Sequence, residues 1–296
     1  MSLRQAANKV YIEGILAEND LNYTSFTKNG KSVEAIGGKI TVKVTQTING
    51  AEKELMIPVH MFSAKYKNDG NPNPAYTSID AVKNNLVSIA ASDEDHADRI
   101  RLTGSLEMNE YYSQSGQLVS FPRIKASFVN KISKDICNQR AEGEVEFCIA
   151  ETLEEIENDE PTGRLIVRGI VPQYGGKVDV VPFYVVSPTA IDVAENYWKP
   201  GDTVRVQIKL NFSSTTKQIV EEVDFGDPII RNRTINVSEI IISGGNRAPL
   251  DEDEAFGTGD IQTALAERKA RLEAQKAKDA AKAKTSAAPK KLDLGF

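Results

Sequence analysis

Residues 100–128 read IRLTGSLEMNEYYSQSGQLVSFPRIKASF, two runs of alternating residues around a short polar stretch that ends in glycine. Before the turn the even positions are Ile100, Leu102, Gly104, Leu106, Met108, Glu110 and Tyr112; after it they are Leu118, Ser120, Pro122, Ile124, Ala126 and Phe128. A period of two with one apolar face marks paired strands, so even positions are mostly core and odd positions mostly outside. For the two core faces to coincide, paired residues must share parity, which requires an odd number of loop residues. The loop Gln114-Ser115-Gly116 meets that condition and puts glycine at the left-handed position such loops need. Tyr111 then stands opposite Val119, Asn109 opposite Phe121, Glu107 opposite Arg123 and Ser105 opposite Lys125.

The outer face of this hairpin thus carries Tyr111, Phe121, Arg123, Lys125 and Arg101 together. Two readings stand at this point. Rings interleaved with cations are what a single nucleic-acid strand needs, since bases stack on rings for ~1–3 kcal/mol each and cations follow the phosphates. The same Tyr111 and Phe121 would also serve as a cross-strand pair shielding the sheet, with the basic residues merely solvated.

On the N-terminal side, 9–16 (KVYIEGIL) and 39–48 (KITVKVTQTI) alternate in the same way, and 53–62 (KELMIPVHMF) is a third run in which Pro58 points to an edge or a bulge. Asn29-Gly30 signals a turn between the first two runs, and 68–74 (NDGNPNP) breaks both periods. In SIDAVKNNLVSIAA (78–91), Ile79, Val82, Leu86, Ile89 and Ala90 fall at helical spacing, with Ser78 as N-cap. Three strands, a helix before the fourth, then a long hairpin make a small closed or partly open barrel.

A weaker copy follows. RLIVRGIV (164–171), KVDVVPFYVV (177–186), AIDVAENYW (190–198) and GDTVRVQIKLNF (201–212) repeat the order of elements. The fold class expected is all-β with minor helix, two tandem barrels at 1–135 and 163–246. An acidic connector at 136–162 joins them, its first half alternating like a strand with Val145, Phe147 and Ile149 on one face and its second half a solvated linker. A charged tail occupies 247–296; Ile261, Leu265 and Leu272 form too thin a stripe to bury, which predicts a lone solvated or partly ordered helix and a flexible end.

The charge of −6 over 296 residues would ordinarily argue against a nucleic-acid partner, but it is concentrated. Residues 136–162 carry one basic against nine acidic side chains, while 1–135 carry 16 against 15 and 163–246 carry 9 against 9. The two barrels are near neutral, which permits a local basic groove. No apolar run approaches the ~18 residues of a membrane span, and MSLRQAANKV has no apolar export core, so a cytoplasmic protein is expected. Cys137 and Cys148 read as free thiols. His60 and His96 are too far apart in character to suggest a shared metal or catalytic role, neither GGK sequence has a phosphate-loop frame, and Asp251–Glu254 lacks calcium-loop spacing. No enzymatic activity, cofactor or metal is expected.

The stretch 100–128 resembles the fourth strand, long loop and fifth strand of bacterial and phage single-stranded DNA-binding proteins, through Ile100, Leu102, Gly104, Leu106, Tyr112, Gln114, Gly116 and Gln117. The opening strand is similar too, with Asn8, Val10, Ile12, Gly14 and Leu16 in place. The resemblance implies oligonucleotide/oligosaccharide-binding (OB) barrels whose loops and sheet face hold the strand. That adds Tyr112, then Tyr23, Phe26, Lys28 and Lys31 in the long loop at 19–38, and Tyr66 and Lys67 beside the N-P-N-P loop. In the second barrel Tyr174, Lys177, Trp198, Phe212, Arg231 and Arg233 supply stacking and phosphate groups, although Trp198 equally suits capping the barrel core.

The family's tails end in an acidic cluster and D-x-P-F that dock on replication and recombination proteins. This chain ends Asp293-Leu294-Gly295-Phe296, with glycine where proline is usual, so the resemblance implies a partner-docking tip. Family members with one barrel form tetramers; two linked barrels imply fewer chains, a monomer or a dimer. The alternative is a scaffold whose barrels bind other proteins.

Overall fold

The computed structural model describes residues 3–113, 115–221 and 229–286, with side chains described except at 214–235 and 280–286. β1 (Asn8–Lys28) and β2 (Lys31–Ile48) are one ribbon, turned at Asn29-Gly30, whose φ values of 50° and 75° are those a two-residue hairpin demands. The stretch 19–38, expected as a loop, is paired down to Lys28 opposite Lys31. Its outer part is exposed on both faces, so no apolar alternation marked it as strand.

β3 (Ala51–Ala64) continues the meander, and α1 (Pro74–Asn85) leads to β4 (Arg99–Tyr112) and β5 (Leu118–Ile132). α1 starts ahead of the expected Ser78: Asn73 caps it by accepting from the Ala75 N–H at 3.1 Å, with Pro74 in the first helical position where its missing N–H costs nothing. β1 pairs with β2 and β4, and β3 meets β5 in parallel at Val59 opposite Ile124, so five strands close a barrel in the order β1-β2-β3-β5-β4.

The second barrel repeats that order. β6 (Arg140–Glu157), β7 (Glu160–Pro172), β8 (Val178–Val185), α2 (Pro188–Asn196), β9 (Thr203–Glu221) and β10 (Ile229–Gly245) close as β6-β7-β8-β10-β9, with β8 and β10 parallel at Tyr184 opposite Ile241. This is a tandem OB fold. The acidic segment 136–162 is therefore not a connector: it holds β6 and its turn into β7 at Asn158-Asp159, both at positive φ. Its carboxylates look like solvated linker in sequence because their partners lie on neighbouring strands. Glu151 meets Arg168 at 2.7 Å, and Glu155 meets Arg164 at 3.2 Å.

The barrels share one sheet, because β1 also pairs antiparallel with β6 from Asn8 opposite Val145 to Glu13 opposite Arg140. Gly143 permits that approach; a Cβ there would stand 2.4 Å from the Lys9 carbonyl oxygen. Two buried carboxylates flank the seam. Glu146 accepts both guanidinium arms of Arg4, at 2.9 and 2.8 Å, and the Ala7 N–H at 3.0 Å. Burial pushes its carboxyl up, but these donors and Arg205 outweigh it and hold the group below the usual range.

The C-terminal helix α3 (Thr258–Ser286) is not solvated on all sides. Phe256, Ile261 and Ala264 pack with Cys148, Ile170 and Val178, and Leu272 is buried as well. The stripe is thin, but Phe256 lengthens it and Ala264 lets the helix lie close. Arg268 pairs with Glu110, and the Gln275 side chain donates to the Glu110 carbonyl at 3.2 Å. No helix among the described residues is long and apolar enough to cross a membrane.

Candidate nucleic-acid interface

The β4–β5 hairpin has the register that parity predicts: Tyr111 opposite Val119, Asn109 opposite Phe121, Glu107 opposite Arg123, Ser105 opposite Lys125. Ser113 and Gln117 close the loop through an N–H to carbonyl bond of 2.9 Å, and Gly116 sits at φ 77°; Gln114 lies outside the described residues. One parity expectation is overturned. A bulge between Leu102 and Gly104 sets Leu102 opposite Val129, an even residue against an odd one, so Phe128 turns outward and is 55% exposed.

Tyr111 and Phe121 lie edge to face at 6.4 Å, each with about two-fifths of its surface in solvent. Beside them, Arg123 accompanies Glu107 at 3.4 Å and donates to Asn109 at 3.1 Å, while Lys125 reaches the same Glu107 at 3.9 Å. A single half-buried carboxylate thus faces two cations, so the strip is positive. β3 extends it, since His60 neighbours Lys125 in the sheet and Lys39 of β2 stands opposite His60. Burial, then the charges of Arg123 and Lys39, push the His60 imidazole below its ordinary value, with Glu107 opposing.

Phe62, absent from the sequence-based candidates, is half exposed on this face and lies 5.8 Å from Phe26 of the β1–β2 ribbon. Its ring rests over Gly37, where a Cβ would come within 2.7 Å of it. The signal was available: Leu55, Ile57, Val59 and Met61 point inward, so Met56, Pro58, His60 and Phe62 must point out. A groove of about 640 Å³ runs along this surface, lined by Lys39, His60, Phe62, Glu107, Arg123 and Lys125 among others.

Other candidates fare unevenly. Lys28 is tied to Asn68 at 2.8 Å, Lys31 is exposed at the ribbon tip, and Tyr66 and Lys67 are exposed beyond β3. Tyr23 is half exposed, its hydroxyl fastened to Asp80 of α1 at 2.6 Å. Tyr112 is covered by α3, with the Lys276 ammonium 5.4 Å from its ring centre. Arg101 leaves the set: it forks onto the buried Glu13 at 2.8 and 3.1 Å. Trp198 and Phe212 leave it too, being 7% and 2% exposed in the second barrel's core. Tyr174 and Lys177 are exposed on the β7–β8 turn. The side chains of Arg231 and Arg233 lie outside the described residues, as do Asp293, Leu294, Gly295 and Phe296. Among the described residues no cluster of His, Cys, Asp or Glu suits a metal ion, and both cysteines are free.

The architecture has counterparts. A deletion variant of the single-stranded DNA binding protein from Thermus aquaticus superposes with a TM-score of 0.50 at 12% identity, covering 84% of this chain and 97% of that one. The wild-type form of that protein gives a TM-score of 0.48 at 11% identity, with the same 84% and 97% coverage. At such identities the likeness is one of fold. No curated protein matches the sequence. The family model described as YorF matches residues 6–278, nearly the whole described chain, and the protein accordingly belongs to the YorF family.

Proposed function

We propose that this protein binds single-stranded DNA without sequence preference, protecting it during replication or recombination, in a phage-infected or bacterial cytoplasm. The observation that carries the reading is the outer face of β2, β3, β5 and β4. Exposed rings Phe62, Phe121 and Tyr111 alternate there with Lys39, Arg123 and Lys125 on an OB barrel. The superposition with a single-stranded DNA binding protein supports it at the level of fold. Recruitment of partner proteins through Asp293–Phe296, and assembly as a monomer or dimer, rest on the sequence resemblance.

Anisotropy of a labelled oligo(dT) tests this. Contact with three or four phosphates gives a slope of log affinity against log salt of about −2 to −3. Phe62→Ala and Phe121→Ala should each weaken binding about tenfold, within the ~1–3 kcal/mol of one base stack, with melting nearly unchanged because the rings are exposed. No binding at low salt would leave the scaffold reading.

The pH dependence has a definite sign. A phosphate beside His60 favours the imidazolium, whose formation Arg123, Lys39 and burial resist in the free protein. Binding therefore takes up a proton, and affinity should rise roughly threefold from pH 8 to pH 6. A rise of equal size in His60→Gln would assign it elsewhere.

A further inference from the structure

The groove of the first barrel adjoins the second barrel. A second cavity of about 370 Å³ lies between the barrels, walled by Lys39, His60, Phe121 and Arg123 on one side and by Phe212, Ser213, Asn236 and Ser238 of β9 and β10 on the other. It shares Lys39, His60 and Arg123 with the groove of the first barrel, so the two adjoin along those side chains. The barrels on its two sides are held together by the β1–β6 pairing and by Gln46 of β2, which donates to the carbonyls of Ala141 and Leu210 in the second barrel at 3.2 and 3.1 Å.

The chemistry of the walls is asymmetric. Among the described residues that line this cavity the first barrel presents Lys39, His60 and Arg123 and no carboxylate; behind them Lys39 stands 3.9 Å from Glu18 and 4.0 Å from Asp20, and Arg123 shares Glu107 with Lys125. The Arg123 Nε is buried and makes no hydrogen bond, although the Glu107 carboxylate lies 3.4 Å from it. Among the described residues, the polar groups of the second barrel's wall are neutral hydroxyls and an amide, those of Ser213, Asn236 and Ser238. A cleft that presents cations on one wall and neutral hydrogen-bonding groups on the other suits a polyanion passing through.

We propose that this inter-barrel cleft carries the DNA strand from the first barrel onto the second, its phosphates seated between Lys39, His60 and Arg123 on one wall and Ser213, Asn236 and Ser238 on the other. The inference rests on the single-stranded DNA reading and fixes the path of the strand. One OB barrel holds about 4–16 nucleotides, so an oligo(dT) of about 8 samples the first barrel and one of about 30 must cross the cleft. The long oligonucleotide should bind the parent protein more than tenfold tighter than the short one. Ser238 is exposed, so Ser238→Glu should fold normally; it should remove most of that gain and leave the short oligonucleotide unaffected, whereas Ser238→Lys should keep the gain. If the parent binds neither length, the single-stranded DNA reading itself falls. If it binds both but Ser238→Glu holds the long one as tightly as the parent does, or weakens both alike, the strand does not use the cleft.

Discussion

Trp198→Ala is expected to lower the melting midpoint by roughly 10 °C and to leave oligo(dT) affinity, measured well below the transition, unchanged. The indole follows α2, is 7% exposed and belongs to the core of the second barrel, and its Nε1–H donates to the Arg247 carbonyl at 3.2 Å. Truncating a buried tryptophan removes its burial and leaves a cavity, costing about 3–5 kcal/mol. In a chain of this size each kcal/mol shifts the midpoint by about 2–4 °C. Trp198→Phe keeps most of the apolar volume but strands the Arg247 carbonyl, so it should fall between the parent and the alanine variant. Scanning calorimetry with anisotropy on the same samples decides the matter; an unchanged midpoint with weakened DNA binding would mean that the ring meets a base. Because Trp198 is the only tryptophan, its emission should be insensitive to DNA, and a labelled oligonucleotide is the appropriate probe.

The contrast between Trp198 and Phe62 shows what the sequence carried and what it did not. Parity along a single strand is a local property, and it yielded the β4–β5 register, the glycine at the hairpin turn and the outward set Tyr111, Phe121, Arg123 and Lys125. The same rule applied to β3 would have exposed Phe62. Where parity failed, at Phe128, one bulged residue had reversed it, and a bulge leaves no mark in the alternation it interrupts. The order of the second barrel is legible, and so is the start of its first strand at Val145, Phe147 and Ile149, but the second half of that strand reads as solvated linker because the cations that meet Glu151 and Glu155 come from β7. Partner identity across strands was the general blind spot. Arg101 reads as an exposed cation until Glu13 of β1, 88 positions away, is seen beneath it.

That pair supplies the sharpest separation between stability and binding. Glu13 is 1% exposed and accepts from Arg101 at 2.8 and 3.1 Å and from the Asn138 N–H at 2.8 Å, with Arg140 3.6 Å away. Arg101→Ala leaves a buried carboxylate without its main partner, which for a fully buried pair costs about 3–5 kcal/mol. Arg101 is half exposed and Arg140 remains, so the loss here should fall clearly below that, with oligo(dT) affinity within a factor of about two of the parent. The pH dependence follows from the same contacts. The Arg101 hydrogen bonds, opposed by burial and aided by Asn138 and Arg140, hold the Glu13 carboxyl below its ordinary value. Its stabilisation is therefore fully present above the unfolded carboxyl pKa of about 4.3 and is lost as pH falls through the folded value. Denaturant midpoints should accordingly separate parent and Arg101→Ala widely at pH 7 and much less as the pH is taken below about 4. Adding Glu13→Gln to the arginine variant removes the stranded charge and should recover part of the loss at pH 7. Intact stability with a tenfold drop in affinity would instead return Arg101 to the DNA-binding face, and would mean that Arg140 and the Asn138 N–H suffice to hold Glu13.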